Sequence, residues 1–358
     1  RVDGRASPGG DRRRRRDATR QSATRRRATA RDARAMDDDD DDALSDDREW
    51  SLGFLERARR DDDLEAWRFP SKAGGAPAWM DPVRVPRASA LETNEGERMA
   101  FLCQVYAPVD AEASAFHRTV YVFVNGTRGG ETHARGGARA FRGQLPRANA
   151  FYGWDPVAEG EAGRALTAEE TATRRARCDW WDASAAATKT YPEYELVVET
   201  EERGEGDAMG GVECVDGDVG GDMTAEEIDA IEAAVVDEDM EQLATFHVML
   251  KNDPEQVLRY CPEPGAKPLW PSVTHAPNTD NIPHCERCGA PRKFEFQILP
   301  TIISQLGVDA ESDSALDFGS IAVYTCSKSC APVACDEGDD RTGAYAEEYV
   351  LVHPPLNQ

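Results

Sequence analysis

The chain has 358 residues, 40% of them hydrophobic, and a formal net charge of −25. This length allows about two domains, and no apolar run approaches the ~18 residues that a membrane-spanning helix needs. The acidic balance disfavours nonspecific nucleic-acid binding, which depends on Lys and Arg neutralising phosphates. It suits a strongly basic partner, although acidity that only maintains solubility is the simpler alternative.

The first 35 residues differ from the rest of the chain. They contain thirteen Arg and four Asp, a net charge of +9, which leaves −34 for the remainder. Met36 and six aspartates follow directly. We interpret Met36 as the true start; a transit peptide is the alternative, which the four aspartates weaken because such peptides are poor in acids. In either case residues 1–46 are predicted to be a disordered leader.

Residues 47–154 are predicted to form an N-terminal module. Two runs rich in β-branched and aromatic residues predict strands, Met99 to Tyr106 and Thr119 to Val124. Residues 155–223 have a different composition and are interpreted as a variable acidic linker segment. Within that segment, residues 196–198 have the composition of a strand.

Residues 224–355 are predicted to contain a helical lead-in and a C-terminal zinc-binding domain. A capping box over 224–227 predicts a helix start, and apolar residues recur at helical spacing from Met240 to Leu250. Pro254 is predicted to open a further short helix, because its missing N–H costs nothing at the first helical position.

The C-terminal part repeats a pattern that occurs 193 positions earlier. The later copy is Cys285-x-x-Cys288-Gly289, followed by Phe294, Gln297 and Ile298, and the earlier copy is Glu92-x-x-Glu95-Gly96, followed by Phe101, Gln104 and Val105. A second strand-like run follows each copy. We therefore predict a β-rich α+β fold of two related modules that arose by internal duplication, with chance similarity as the alternative.

Four cysteines form two close pairs, Cys285-x2-Cys288 and Cys326-x3-Cys330. Two such turns can complete the tetrahedron of thiolates that Zn²⁺ favours. Because four thiolates leave no open position, we predict one structural zinc whose binding free energy contributes to folding. His284 and Cys335 are alternative ligands. The other cysteines are interpreted as core or incidental thiols; they are Cys103, Cys178, Cys214 and Cys261.

Catalytic motifs are missing from the sequence. It contains no G-x-S-x-G, no phosphate-binding P-loop, no G-x-G-x-x-G after a strand and no H-E-x-x-H. We therefore predict that the protein is not an enzyme and has no small-molecule substrate. Trp79, Trp180 and Trp270 are candidates either for the core or for exposed partner anchors.

Several stretches together resemble a known family. The stretches are 283–297, 316–330, 254–260 and 268–270 in the C-terminal half, and 52–54, 71–79, 101–108, 115–118, 144–149 and 191–195 before it. They resemble the programmed cell death protein 2 family, in the form that lacks a MYND finger, over about residues 50–355. This combination of motifs is specific.

The resemblance implies a cytoplasmic, sometimes nuclear, protein that acts in small ribosomal subunit biogenesis and rRNA maturation. It implies a dedicated chaperone for one newly made basic ribosomal protein, S-two (universal name S-five). No direct contact with nucleic acid or membrane is expected. The alternatives are an interaction adaptor in transcriptional or apoptotic regulation and an RNA-binding zinc ribbon.

Besides the absent MYND finger, the sequence departs from the family pattern in its N-terminal module. The N-terminal module of the family carries its own cysteine pairs, but here Glu92 and Glu95 stand at the first pair, and Asn125 and Gly129 stand near the second. We predict that this earlier site binds no zinc and is held by packing. The client is predicted to contact both halves, helped by the acidic stretches 193–205 and 226–241.

Overall fold

The structure is a computed structural model that describes residues 48–60, 63–82, 84–126, 136–149, 151–152, 191–201, 238–308, 316–331 and 344–356. All of these residues belong to one compact unit, Asp47–Gln358. No helix within these ranges is both long and apolar enough to cross a bilayer. The predicted leader and the helix predicted from Thr224 lie outside the described residues.

Ten antiparallel strands close into a barrel. The strands are β1 (Ser51–Glu56), β2 (Lys72–Ala73), β3 (Ala100–Tyr106), β4 (His117–Val124), β5 (Ala138–Leu145), β6 (Tyr194–Thr200), β7 (Leu258–Tyr260), β8 (Arg292–Ile298), β9 (Ser320–Cys326) and β10 (Tyr345–His353). Their order around the barrel is β1-β6-β2-β3-β4-β5-β10-β9-β8-β7, and β7 pairs again with β1. The β-rich class predicted from the sequence is confirmed.

The barrel interior is filled by alternate residues of its strands, as expected for a two-residue side-chain period. On β4 these are Val120, Val122 and Val124, and on β9 they are Ile321 and Val323. These side chains join one apolar cluster to which nearly every strand contributes. Burying this cluster against water is the main stabilising contribution to the fold.

The residues between these positions face outward, and loop segments cover them. Tyr121 and Phe123 of β4 pack with Trp79 of the segment that follows β2. On the other side, Tyr324 of β9 packs in a cluster with Trp50. Both faces of these strands are therefore apolar, which explains why their sequences are nearly continuous hydrophobic runs.

Two helices accompany the barrel in the described part of the chain: α1 (Glu238–Leu250) and α2 (Thr301–Gln305). Helix α1 confirms the helical spacing from Met240 to Leu250. The short helix predicted at Pro254 is wrong, because a turn there, closed by Gln256 N–H donating to the carbonyl of Asp253, leads into β7. Leu258 then packs in the barrel interior, which requires an extended backbone.

Both predicted modules contribute strands to the same barrel. The N-terminal module supplies β1 to β5, and the C-terminal one supplies β7 to β10. Strand β6 comes from the segment interpreted as a linker and pairs with β1 and β2. The two halves meet where β5 pairs with β10 and where β1 pairs with β7.

The hairpins β3–β4 and β8–β9 share two details. In each hairpin the first strand has a register shift. The shift falls between Phe101 and Cys103 in β3 and between Phe294 and Phe296 in β8, so Leu102 and Glu295 have no register partner in the hairpin. Each also buries a glutamine that accepts a backbone N–H bond from a covering segment: Gln104 from Ala78 and Gln297 from Leu269, both at 2.8 Å. Leu102 and Glu295 are 193 residues apart, and so are Gln104 and Gln297, as in the sequence repeat.

Candidate metal centre and its surroundings

The four paired cysteines lie together at one end of the barrel. Cys285 and Cys288 belong to the turn before β8, Cys326 ends β9, and Cys330 follows it. Their Sγ atoms all lie within 4.8 Å of one another, with Cys285 to Cys330 at 3.7 Å and Cys288 to Cys326 at 3.5 Å. Zn–S bonds of about 2.3 Å in a tetrahedron imply roughly 3.8 Å between sulfurs. The donor set therefore fits one tetrahedral metal ion.

Backbone turns bring the sulfurs of each pair together. Gly289 donates its N–H to the Cys285 carbonyl, and Cys285 donates to the Ala290 carbonyl, both at 2.8 Å. Gly289 has a φ of 69°, a left-handed conformation that favours glycine. The second turn is closed by Ser329 N–H donating to the Cys326 carbonyl at 2.9 Å, with Ser329 also left-handed at φ 42°.

The four-cysteine cluster is partly buried. Cys285 and Cys326 are buried, Cys330 is half-buried, and Cys288 is exposed. The pKa of the Cys330 thiol is raised to about 12, first by burial and then by hydrogen bonding with Cys288 and Cys285. A divalent cation would favour the thiolate forms instead, so that metal binding would release protons.

A buried charged cluster, which the sequence analysis missed, adjoins the cysteines. Glu348 of β10 accepts from Arg142 Nε of β5 at 2.6 Å and from Arg292 Nε of β8 at 3.1 Å. Its Oε2 also accepts the backbone N–H of Cys326 at 3.1 Å. The side chains of Arg142 and Glu348 are 0% exposed. Four strands are thus joined through one carboxylate beside the metal centre.

A second buried ion pair lies at the same end of the interior. Arg118 of β4 donates to both carboxylate oxygens of Glu295, which the register shift of β8 turns toward the interior. Thr325 also donates to Glu295. Burial alone would raise the pKa of Glu295, but the Arg118 charge and these hydrogen bonds outweigh it and hold the pKa below its usual value.

The earlier, cysteine-free turn lies at the opposite end of the barrel, before β3 and after β4. Glu92 forms an isolated bridge with Arg98, and Gly96 has a φ of 81°, which resembles Gly289. The carboxamide of Asn125 donates to Glu97 Oε2 at 3.4 Å. Gly129 lies outside the described residues. That this turn binds no zinc stays a prediction.

The other residues singled out in the sequence are placed as follows. His284 Nδ1 lies 3.0 Å from the Gly289 carbonyl, outside the four-cysteine cluster. Cys103 and Cys261 are buried away from that cluster. Trp79 is buried, and Trp270 is half-buried and stacks on His353. Cys178, Cys214, Cys335 and Trp180 lie outside the described residues.

Helix α1 presents a second feature of interest, an apolar outer face. Met240 and Val248 are 64% and 57% exposed, and Ala244 between them is exposed as well. At i, i+4 and i+8 these residues share one face of the helix. Phe246, on the opposite side, is buried. We call this face the α1 face.

The acidic stretch at β6 has a structural role. Glu193 forms an ion pair with the buried Lys72 of β2, and Glu201 pairs with the buried Arg259 of β7 at 3.0 Å. A buried cation needs such a partner. These two carboxylates therefore stabilise the barrel.

The fold and the cysteine cluster define a closed β-rich barrel protein with a candidate metal site. The N-terminal domain of Programmed cell death protein 2 matches residues 49–159, and the C-terminal domain of that protein matches residues 240–354. The chain belongs to the programmed cell death protein 2 family.

Curated relatives agree with this assignment. Programmed cell death protein 2 of Mus musculus is 34% identical over 330 residues, which cover 78% of this chain and 92% of the relative. Programmed cell death protein 2-like of Gallus gallus is 43% identical over 91 residues, covering 25% and 23%. Probable 20S rRNA accumulation protein 4 of Schizosaccharomyces pombe is 34% identical over 116 residues, covering 29% and 26%. No solved structure matches the chain significantly.

Proposed function

We propose that this protein is a non-catalytic binding factor in small ribosomal subunit biogenesis, acting as a dedicated chaperone for one newly made basic ribosomal protein, S-two (universal name S-five). Membership of the programmed cell death protein 2 family supports this function, as does the relative named for 20S rRNA accumulation. The net charge of −25 suits a basic client, because complementary fields steer association and disfavour wrong partners.

The observation that carries the proposal is the α1 face. A surface helix of a monomeric protein normally buries one apolar face and exposes a polar one, whereas α1 also exposes an apolar stripe. Met240, Ala244 and Val248 are exposed, and the exposed Glu238, Glu241 and His247 lie beside them. An apolar stripe flanked by carboxylates fits a basic segment that carries an apolar anchor.

The closed barrel restricts how a client can bind. In the order around the barrel each described strand lies between two others, so none is left wholly at an open edge of the kind to which a client adds a strand. This arrangement favours recognition by side-chain surfaces outside the barrel. The α1 face is such a surface, and we propose that it is one of the client's contacts.

We propose that Cys285, Cys288, Cys326 and Cys330 bind one structural zinc ion. A shell of four thiolates leaves no position for water or substrate, which supports a structural rather than a catalytic ion. The ion would fix the two turns at the end of the barrel where β8 begins and β9 ends.

We also propose that the two halves of the barrel arose by internal duplication. The matching register shifts and the matching Gln104 and Gln297 contacts support this origin. Two buried cations support it further. Lys72 is the register partner of Gln104 on the adjacent strand, and Arg259 is the register partner of Gln297. The duplicated turn at Glu92 and Glu95 would then have lost its metal ligands.

The proposed site of action is the cytoplasm, and sometimes the nucleus, where a newly made ribosomal protein would be held until assembly. Direct binding to RNA, to membranes or to a small-molecule substrate is not part of this proposal. The acidic balance supports the exclusion of RNA, since RNA binding depends on basic surface.

Affinity purification of the full-length chain, followed by quantitative mass spectrometry of the eluate, tests the proposed function. We expect one basic small-subunit ribosomal protein at near-equal amount, without the rest of the ribosome. A diffuse set of regulators would favour an adaptor instead. Whole pre-ribosomal particles, or RNA retained with a steep salt dependence, would favour a factor that acts on assembled particles.

A further inference from the structure

The metal centre is not built by the C-terminal half alone, because two side chains of β5 hold the turn that carries its last two cysteines. Arg142 Nη1 donates to the Cys330 carbonyl at 3.0 Å, and Gln144 Nε2 donates to the Ser329 carbonyl at 3.0 Å. Both lie on one face of β5, as residues two apart on a strand do. They are separated from the cysteine turn by 188 and 185 residues.

Arg142 also brings positive charge to the sulfurs. Its Nη2 lies 3.9 Å from Cys330 Sγ, within the range of a hydrogen bond to sulfur. Four thiolates around a divalent ion carry a net charge of about −2, and a buried charge is costly unless opposite charge lies beside it. Among the buried neighbours, Arg142 and Arg292 contribute two positive charges and Glu348 one negative. These buried neighbours therefore carry a net positive charge, which is the sign that offsets the negative metal shell.

Glu348 fixes where this charge is placed. It accepts from Arg142 Nε and Arg292 Nε and from the Cys326 amide, so one carboxylate aligns the guanidinium of β5 with a ligand of the metal. Groups one shell outside a metal typically change its affinity by about 10–100-fold when they are replaced. We propose that Arg142 is a positioning residue for the metal centre, and that metal retention therefore depends on the docking of the N-terminal half through β5.

This inference rests on the proposed metal role of the four cysteines. It also predicts a consequence in the other direction: the bound metal stabilises the pairing of β5 with β10, because the Cys330 turn and Glu348 hold Arg142 from both sides. The free energy of metal binding would thus contribute to holding the two halves of the barrel together.

The test measures zinc affinity of the full-length chain in competition with a chromophoric chelator. We expect Arg142→Gln to weaken Zn²⁺ binding by about 10–100-fold, and Arg142→Lys to retain more of the affinity because it keeps the charge. Arg139→Gln is the matched control, since Arg139 lies on the same strand in a more exposed pair with Glu347 at 3.2 Å. We expect this control to bind zinc like the wild type.

Arg142→Gln could also weaken binding by leaving Glu348 with one cation fewer. The double variant Arg142→Gln/Glu348→Gln removes both charges, and we expect it to fold, to show the tetrahedral cobalt spectrum with Co²⁺, and still to bind zinc more weakly. Affinities of Arg142→Gln and of the double variant within twofold of the Arg139→Gln control would overturn the inference. A wild-type chain that binds no Zn²⁺ would overturn both it and the proposed metal role.

Discussion

Arg118 and Glu295 form a two-point ion pair inside the barrel, with Nη1 to Oε1 at 2.5 Å and Nη2 to Oε2 at 2.6 Å, although 177 residues separate them in the chain. Both side chains are almost completely buried, at 2% and 1% exposed. Arg118 lies on β4 and Glu295 on β8, so the pair joins the two halves across the interior. Removing only one partner would leave an uncompensated buried charge.

The Arg118 and Glu295 pair yields the first prediction. We expect Arg118→Met to lower the free energy of unfolding by about 3–5 kcal/mol, because Glu295 loses its counter-charge. The double variant Arg118→Met/Glu295→Leu should recover much of this loss. Urea denaturation of the wild type, both single variants and the double variant gives the coupling energy. Equal stability of Arg118→Met and the wild type would contradict the role assigned to the pair.

The same pair predicts a pH dependence in the acid range. The folded-state pKa of Glu295 is lowered, so between that pKa and the unfolded value of about 4.3 the unfolded state binds more protons. The contribution of Glu295 is therefore complete above about pH 4.3 and is lost as the pH falls through the folded pKa. We expect the free energy of unfolding to fall less steeply below pH 4.3 in the double variant than in the wild type. Parallel pH curves for the two proteins would rule this out.

Removal of the metal is predicted to destabilise the whole barrel. We expect Cys288→Ala, or treatment of the wild type with a strong chelator, to abolish stoichiometric zinc and to lower the melting temperature markedly, because structural zinc contributes on the order of 10 kcal/mol to small zinc domains. Elemental analysis measures the zinc content, and calorimetry measures the melting temperature.

Cys261→Ala is the control for metal removal, since Cys261 is a buried thiol outside the four-cysteine cluster. It should keep its zinc. A Cys288→Ala protein with full zinc content and an unchanged melting profile would refute the ligand assignment.

We expect substitutions on the α1 face to weaken client binding without lowering the stability of the fold. Met240→Ser/Val248→Ser changes two exposed side chains, so we expect the free energy of unfolding to change by less than about 0.5 kcal/mol per substitution. Recovery of the basic ribosomal protein in the affinity purification should fall at least tenfold. Val198→Ser, at an exposed position on β6, is the control and should leave recovery unchanged. Unchanged recovery with the double variant would remove α1 from the client interface.

The two buried glutamines, Gln104 and Gln297, are predicted to contribute equally to the free energy of unfolding. Gln104→Leu and Gln297→Leu each leave a backbone N–H without its acceptor, that of Ala78 or of Leu269. Each should cost about 1–3 kcal/mol, the penalty for an unsatisfied buried group. Gln305→Leu, whose amide makes an exposed contact, serves as the control for chemical denaturation. A loss at only one of the two positions would weaken the argument that they are equivalent.

Much of the local structure follows from the sequence because it depends on near neighbours. Continuous apolar runs predicted β3 and β4, and helical spacing predicted α1, since side-chain periodicity is a local property of the backbone. Two cysteine pairs predicted a cluster, and the structure brings all four sulfurs together. The prediction failed at Pro254, where the demand for Leu258 in the barrel interior outweighed the local preference for a helix start.

Only the tertiary structure decided how the halves combine. Closure of ten strands into one barrel depends on pairings between distant segments, such as β5 with β10, and no local periodicity encodes such a register. Arg142 and Glu348, 206 residues apart, have the sequence character of solvated surface residues, because Arg and Glu are almost never fully buried unless paired. The sequence by itself determined which residues can bind metal and which family they belong to. The fold determined that a guanidinium from the other half of the chain lies beside them, since the pairing of β5 with β10 brings Arg142 to Glu348 and to the cysteine turn.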